Sequence, residues 1–74
     1  MAAIKTKRRF EFIEGSANKF WEIEIDGTAV TVRFGRNGTR GQACLKKFKD
    51  PVVAERHTAK TILEKLAKGY VEVG

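Results

Sequence analysis

The chain has 74 residues, room for one domain, and a domain of this size buries only about 60% of its unfolded surface, which argues against a wide enclosed active-site cavity. Cys44 is the single cysteine, which excludes an internal disulfide and a cysteine-based zinc site, and no apolar run approaches the roughly 20 residues of a membrane span. Lys+Arg number 15 against 9 Asp+Glu, a formal net charge of +6, and the basic amino terminus is not followed by the apolar stretch of a secretory signal, so the expected setting is reducing and cytoplasmic.

Lys7–Glu14 alternates loosely, with Phe10 and Phe12 on one side, and reads as a strand. Gly15-Ser16-Ala17-Asn18 is turn chemistry. Lys19–Asp26 alternates more cleanly: Trp21, Ile23 and Ile25 face one way, and Glu22 and Glu24 face the other, toward solvent. Asp26-Gly27 is a strong hairpin signal, and Thr28–Phe34 returns as the next strand. Gln42–Phe48 makes a fourth. Asp50-Pro51 then pairs a helix-capping aspartate with the residue favoured at the first helical position. From Val52 to Lys68, the residues Val52, Ala59, Ile62, Leu63 and Leu66 fall on one stripe, with His57, Thr61, Lys65 and Lys68 opposite. Gly69 suits the position past the helix end, and Tyr70–Val73 is long enough only for a short edge strand. The expected fold class is α+β: a small antiparallel β-sheet of four or five strands, with one C-terminal α-helix packed on it and Trp21, Ile23, Ile25, Ile62 and Leu66 buried together. Residues 1–74 form a single domain in this reading.

Between the third and fourth strands lies the densest local chemistry. Arg33-Phe34-Gly35-Arg36-Asn37-Gly38-Thr39-Arg40-Gly41-Gln42 holds three arginines, three glycines and an aromatic, with no acid. Glycine lets backbone take positive φ, arginine presents a planar fork to phosphate, and an aromatic offers a flat surface to a base or sugar. The basic run continues through Lys46, Lys47 and Lys49, and a second cluster, Lys5, Lys7, Arg8 and Arg9, opens the chain. Segregated basic charge is the footprint of a phosphate-backbone binder, and equally that of a soluble basic face.

These motifs resemble the WGR domain, named for a Trp-Gly-Arg signature followed by a Gly-rich loop ending in Gln. Here Phe34-Gly35-Arg36 stands at the signature and Asn37–Gln42 continues it in register. Asn18-Lys19-Phe20-Trp21-Glu22-Ile23 is similar to the family's Asn-Lys-Phe-Tyr-x-Ile segment, and Lys68-Gly69-Tyr70 to its closing Lys-Gly-Tyr. The resemblance runs from about Asn18 to Glu72. It implies a small antiparallel sheet with one helix. It also implies a role like that of WGR domains in poly(ADP-ribose) polymerases, which bind DNA ends and help relay that event to a catalytic domain. Bacterial proteins carry WGR domains too, some described as regulators of molybdate metabolism. In the polymerase versions the signature tryptophan packs on a terminal sugar, and nearby polar and basic groups touch phosphates or the neighbouring domain. Phe34 departs from the pattern: it keeps a flat apolar face but loses area and the indole N–H. No polymerase domain accompanies the match, so no transferase activity is implied.

The candidate nucleic-acid-binding residues are Asn18, Arg33, Phe34, Arg36, Asn37, Arg40, Lys46 and Lys47. Arg36 reads as a phosphate donor, against the alternative of an ion pair with Glu22 or Glu24. Phe34 continues the parity of Val30 and Val32, so a core role stands beside stacking. Asn18 is either a contact or an ordinary turn residue, and Trp21 reads as core. His57 lacks a metal-spaced partner and reads as solvent-facing, and no residues fill the roles of a catalytic site. The expectation is a non-enzymatic module without cofactor or metal that binds nucleic acid, DNA before RNA, and not a membrane. The rival is a protein-interaction module docking an acidic partner on the same basic patch.

Overall fold

The computed structural model describes residues 5–74, Lys5 by its backbone alone. Five strands, β1 (Lys5–Glu14), β2 (Ala17–Asp26), β3 (Ala29–Arg36), β4 (Gln42–Lys47) and β5 (Val71–Val73), form one sheet, with helix α1 (Pro51–Ala67) between β4 and β5 in sequence. The order is β4-β3-β2-β1-β5 and every neighbouring pair is antiparallel. The α+β architecture is the expected one, and the short carboxy-terminal segment does form the edge strand beside β1. The first turn is tighter than expected. Gly15 and Ser16 alone make it, with Gly15 at φ 60°, and Ala17 and Asn18 belong to β2. Gly27, at φ 63°, turns the next hairpin as Asp26-Gly27 indicates.

Strand register builds the core. Trp21 stands opposite Phe10 on β1 and Phe34 on β3, while Ile23 stands opposite Val32 and Ile25 opposite Val30. Phe10, Trp21, Ile23 and Val30 are buried on this face, covered by Ala54 and Ile62 of α1, with Phe10 and Trp21 in tilted ring contact at 5.6 Å. Ile25 packs at the margin, half-buried.

Two expectations fail here. The helix does not present the expected stripe: Ile62 is buried, but Val52, Ala59, Leu63 and Leu66 are exposed, Leu66 at 44%. Its sheet-facing side instead carries Ala54 and Ile62, with half-buried His57, Thr58, Thr61 and Lys65 around them. Two constraints set this rotation. Phe48 N donates to Thr28 O at 2.8 Å, tethering the chain two residues before the cap. The Asp50 side chain then accepts from Val53 N at 3.0 Å, so the helix starts at a determined angle. Bulky Phe10 and Trp21 already fill the sheet face, and close approach is made through alanine. His57, expected in solvent, is half-buried with its ring 4.8 Å from that of Phe48.

The second failure concerns the acids of β2. Glu22 is not in solvent: its side chain is 13% exposed and lies 3.7 Å from Lys7 Nζ and 3.5 Å from Arg9 Nη1. Glu24 is half-buried. The amino-terminal basic cluster is correspondingly engaged, since Lys7 and Arg9 pair with Glu22 and Arg8 pairs with Glu72; the Lys5 side chain lies outside the described residues.

The Arg8–Glu72 pair ties β5 to β1. Arg8 Nε and Nη2 donate to the two carboxylate oxygens at 2.8 and 2.6 Å, and these bonds hold the Glu72 carboxyl below its ordinary value. A carboxyl with a depressed folded-state pKa stabilises above the ordinary carboxylate range and loses that contribution as pH falls through the lowered value. Because the pair is exposed, its loss is local. The protection of the β5 amides, their exchange taken relative to an unstructured chain at the same pH, is expected to fall on acidification through the carboxylate range, and Glu72→Gln to leave them weakly protected at every pH. Uniform protection of β5 across that range would refute the clamp.

Candidate functional site

On the face away from α1, Arg9 and the two asparagines Asn18 and Asn37 are engaged with one another. The Arg9 guanidinium lies over the Phe20 ring at 4.4 Å and donates to Asn37 Oδ1 at 2.9 Å. Asn37 Nδ2 donates to Asn18 Oδ1 at 2.6 Å, and Asn37 N donates to Asn18 O at 2.9 Å. Asn18 and Asn37 thus pin the start of the β3–β4 loop to the first hairpin.

The glycines of that loop serve the loop itself. Gly41, at φ 69°, sits so close to Phe34 that an added Cβ would strike the Phe34 carbonyl, and it would also come within 2.9 Å of the buried Phe20 ring. A Cβ on Gly35 would lie 2.6 Å from the Gly41 Cα. The loop therefore folds back on β3 and helps seal Phe20. Thr39 completes the turn, its N and Oγ1 donating to Arg36 O at 3.1 and 2.7 Å.

The opposite result of this folding is that Phe34 and Arg36 are held out on the helix side of the sheet. There an open cavity of about 560 Å³ lies between β2, β3 and the carboxy-terminal half of α1. Trp21 and Phe34 form its apolar floor, and Lys19, Arg36, Lys65 and Tyr70 line its sides; among the described residues no carboxylate lines it. Phe34 is 39% exposed, so it is a surface of this cavity and not part of the sealed core. Lys19 and Arg36 are cross-strand partners. The ion pair weighed for Arg36 is not formed: no side-chain bond of Arg36 occurs among the described residues.

Tyr70 is delivered by the helix terminus. Gly69 N donates to Leu66 O and Tyr70 N to Lys65 O, both at 3.1 Å, while Gly69 takes φ 102°, which turns the chain back over the sheet. The Tyr70 ring then packs 5.5 Å from Phe12. Lys65 Nζ stands 5.5 Å above the Trp21 ring and 5.3 Å from that of Tyr70. Burial is the largest cause lowering the Lys65 pKa, followed by repulsion from Lys68 and Lys19. A ligand with a flat or sugar-like body and negative charge matches this arrangement: the rings take the body, and the cations meet the charge.

The sequence candidates divide. Asn18, Phe34 and Arg36 line the cavity. Arg33 points to the other face and donates to Arg40 O at 3.3 Å, Asn37 is held by Arg9, and Lys47 lies on that same far face. Lys46 shares the helix-side face, its Nζ 5.8 Å from the Phe48 ring, and Arg40 is exposed in the loop. Sequence reasoning missed Lys19, Lys65 and Tyr70. Lys19 was within reach, because strict alternation puts it on the face of Trp21. Lys65 was hidden by the misread helical stripe. Among the described residues no group of His, Cys, Asp or Glu gathers to hold a metal.

The family model of the WGR domain matches residues 6–74. The chain belongs to the WGR domain family. This WGR domain is 37% identical over 65 residues to protein YehF of Escherichia coli, a match covering 88% of the chain and 24% of YehF. It is 33% identical over 66 residues to the uncharacterized protein YfeS of the same organism, covering 89% of the chain and 27% of YfeS. A crystal structure of a Bacteroides fragilis protein superposes with a TM-score of 0.91 at 43% identity, over 93% of this chain and 20% of that one. The WGR domain thus spans about a quarter of the curated relatives it matches.

Proposed function

We propose that this WGR domain is a non-enzymatic module that binds nucleic acid, DNA before RNA, in a cytoplasmic setting. One observation carries the reading: the cavity joins an aromatic floor, Trp21 and Phe34, to three cations, Lys19, Arg36 and Lys65, with no carboxylate on its walls among the described residues. A sugar or base rests on Phe34, Arg36 and Lys19 meet its phosphate, and Lys65 closes the far side. Arg40 and Lys46 extend the cationic surface toward adjoining phosphates. Its family membership and the polymerase resemblance support the same ligand class.

Counterion release makes the test quantitative. With roughly four to six phosphate contacts at about −0.9 each, log affinity against log salt is expected to fall with a slope of about −4 to −5. Arg36→Ala is expected to lose roughly 1.5–3 kcal/mol of binding, the range for hydrogen bonds to charged groups, with an unchanged melting temperature. Phe34→Ala is expected to lose about 1–3 kcal/mol of binding as a stacking surface. Duplex, nicked and single-stranded DNA titrated across a salt series, with heparin as the polyanion control, provide the readout. Binding that ignores salt, or is absent at low salt, refutes the proposal and favours docking of an acidic protein surface. Melting of Arg36→Ala with binding intact makes that arginine structural.

A further inference from the structure

Beside the aromatic cavity lies a second, smaller one of about 190 Å³, at the carboxy-terminal end of α1. Phe12 and Tyr70 form its apolar wall, and among the described residues Lys19, Lys65 and Lys68 supply its charge. Lys19 Nζ stands 5.5 Å from the Phe12 ring and 5.9 Å from the Tyr70 ring. Lys19, Lys65 and Tyr70 belong to both cavities, so the two are adjoining compartments with two lysines at the divide. The carboxylate whose field reaches Lys65 is Glu64, and it is outweighed by Lys68 and Lys19 together with burial. The Lys19 and Lys65 ammonium groups stand over aromatic rings, Lys68 lines the same compartment, and like charges gathered there repel one another, a repulsion that a bound anion removes.

Resting on the proposed reading of the larger cavity, we infer that the lysine compartment holds a polyphosphate: the di- or triphosphate chain of a nucleotide whose sugar or base occupies the aromatic compartment. Charge selects this over a single phosphate. A phosphomonoester carries about −1.5 to −2 at neutral pH, short of three lysines, and each further linked phosphate adds roughly one more negative charge. The nucleotide is either free or the 5′ end of a strand, since both present the same chemistry to these lysines. Lys68 is the discriminating residue, because it lines only the smaller compartment.

The experiment compares one oligonucleotide bearing a 5′-hydroxyl, 5′-monophosphate or 5′-triphosphate, with free ATP and inorganic tripolyphosphate as separate arms. The triphosphate end is expected to bind about tenfold or more tightly than the monophosphate, the equivalent of one added charged contact. Lys68→Ala is expected to bring the two ends within about twofold of each other, leaving 5′-hydroxyl binding and the melting temperature unchanged. ATP that binds through Lys68 more tightly than tripolyphosphate identifies a free nucleotide as ligand, even where the oligonucleotides do not bind. Failure of the 5′-hydroxyl oligonucleotide to bind at low salt refutes the nucleic-acid reading alone. Equal affinity for mono- and triphosphate ends, without Lys68-dependent ATP binding, overturns the polyphosphate site, as does a triphosphate preference that survives Lys68→Ala.

Discussion

Phe10→Ala is expected to unfold most of the protein at ordinary temperature. Phe10 is fully buried in the core cluster, in ring contact with Trp21, and truncating a core phenylalanine costs about 3–5 kcal/mol. At roughly 0.05–0.15 kcal/mol of stability per residue, 74 residues amount to about 4–11 kcal/mol, and a domain this small sits toward the low end, where the loss is comparable to the whole. Leu66→Ala is the informative partner. Leu66 sits on the helix, where the hydrophobic pattern of the sequence places it in the core, yet it is 44% exposed. Its truncation is expected to stay within about 0.5 kcal/mol, as for surface substitutions away from special features. Thermal melts of both variants decide the matter, and a Leu66→Ala loss approaching that of Phe10→Ala would mean the helix is rotated from the arrangement described.

Gly41→Ala is expected to dislodge the β3–β4 loop, and with it the cavity. Gly41 and Gly38 both have positive φ, 69° and 91°, so alanine is strained at either, by about 1–3 kcal/mol. They differ in space. Nothing lies within 4 Å of a Cβ on Gly38, whereas one on Gly41 collides with the Phe34 carbonyl, which is backbone and cannot rotate away. Gly41→Ala must therefore move the chain at Phe34, the floor of the cavity, and uncover the buried Phe20 ring. The expected result is a lower melting temperature for Gly41→Ala than for Gly38→Ala, together with loss of the proposed DNA binding in Gly41→Ala only. Equal melting and equal binding of the two would show that the loop does not need this close contact.

Sequence by itself determined the strands, the helix and their order. Alternation on Trp21, Ile23 and Ile25 placed β2, Gly27 placed a hairpin, and Asp50-Pro51 placed the helix start. Each is a local signal, decided by backbone geometry within a few residues. Phe34 and Arg36 were also legible, through the motif around them. The helix rotation was decided by the tertiary structure. The chain is tethered at Phe48, and the sheet face is filled by Phe10 and Trp21. Alanine and the stems of polar residues therefore packed inward, and Leu63 and Leu66 turned out, against the periodicity. The candidate site depended on the same event. Lys65 reaches Trp21 only because the helix is turned that way, and Tyr70 meets Phe12 only through the turn at Gly69. Likewise Lys7 and Arg9, indistinguishable in sequence from the other basic residues, are paired across the sheet with Glu22, while Arg36 stays open at the cavity. Charge along a chain can be counted, but which cations are neutralised depends on strand register and loop folding, which bring residues far apart in sequence to one face.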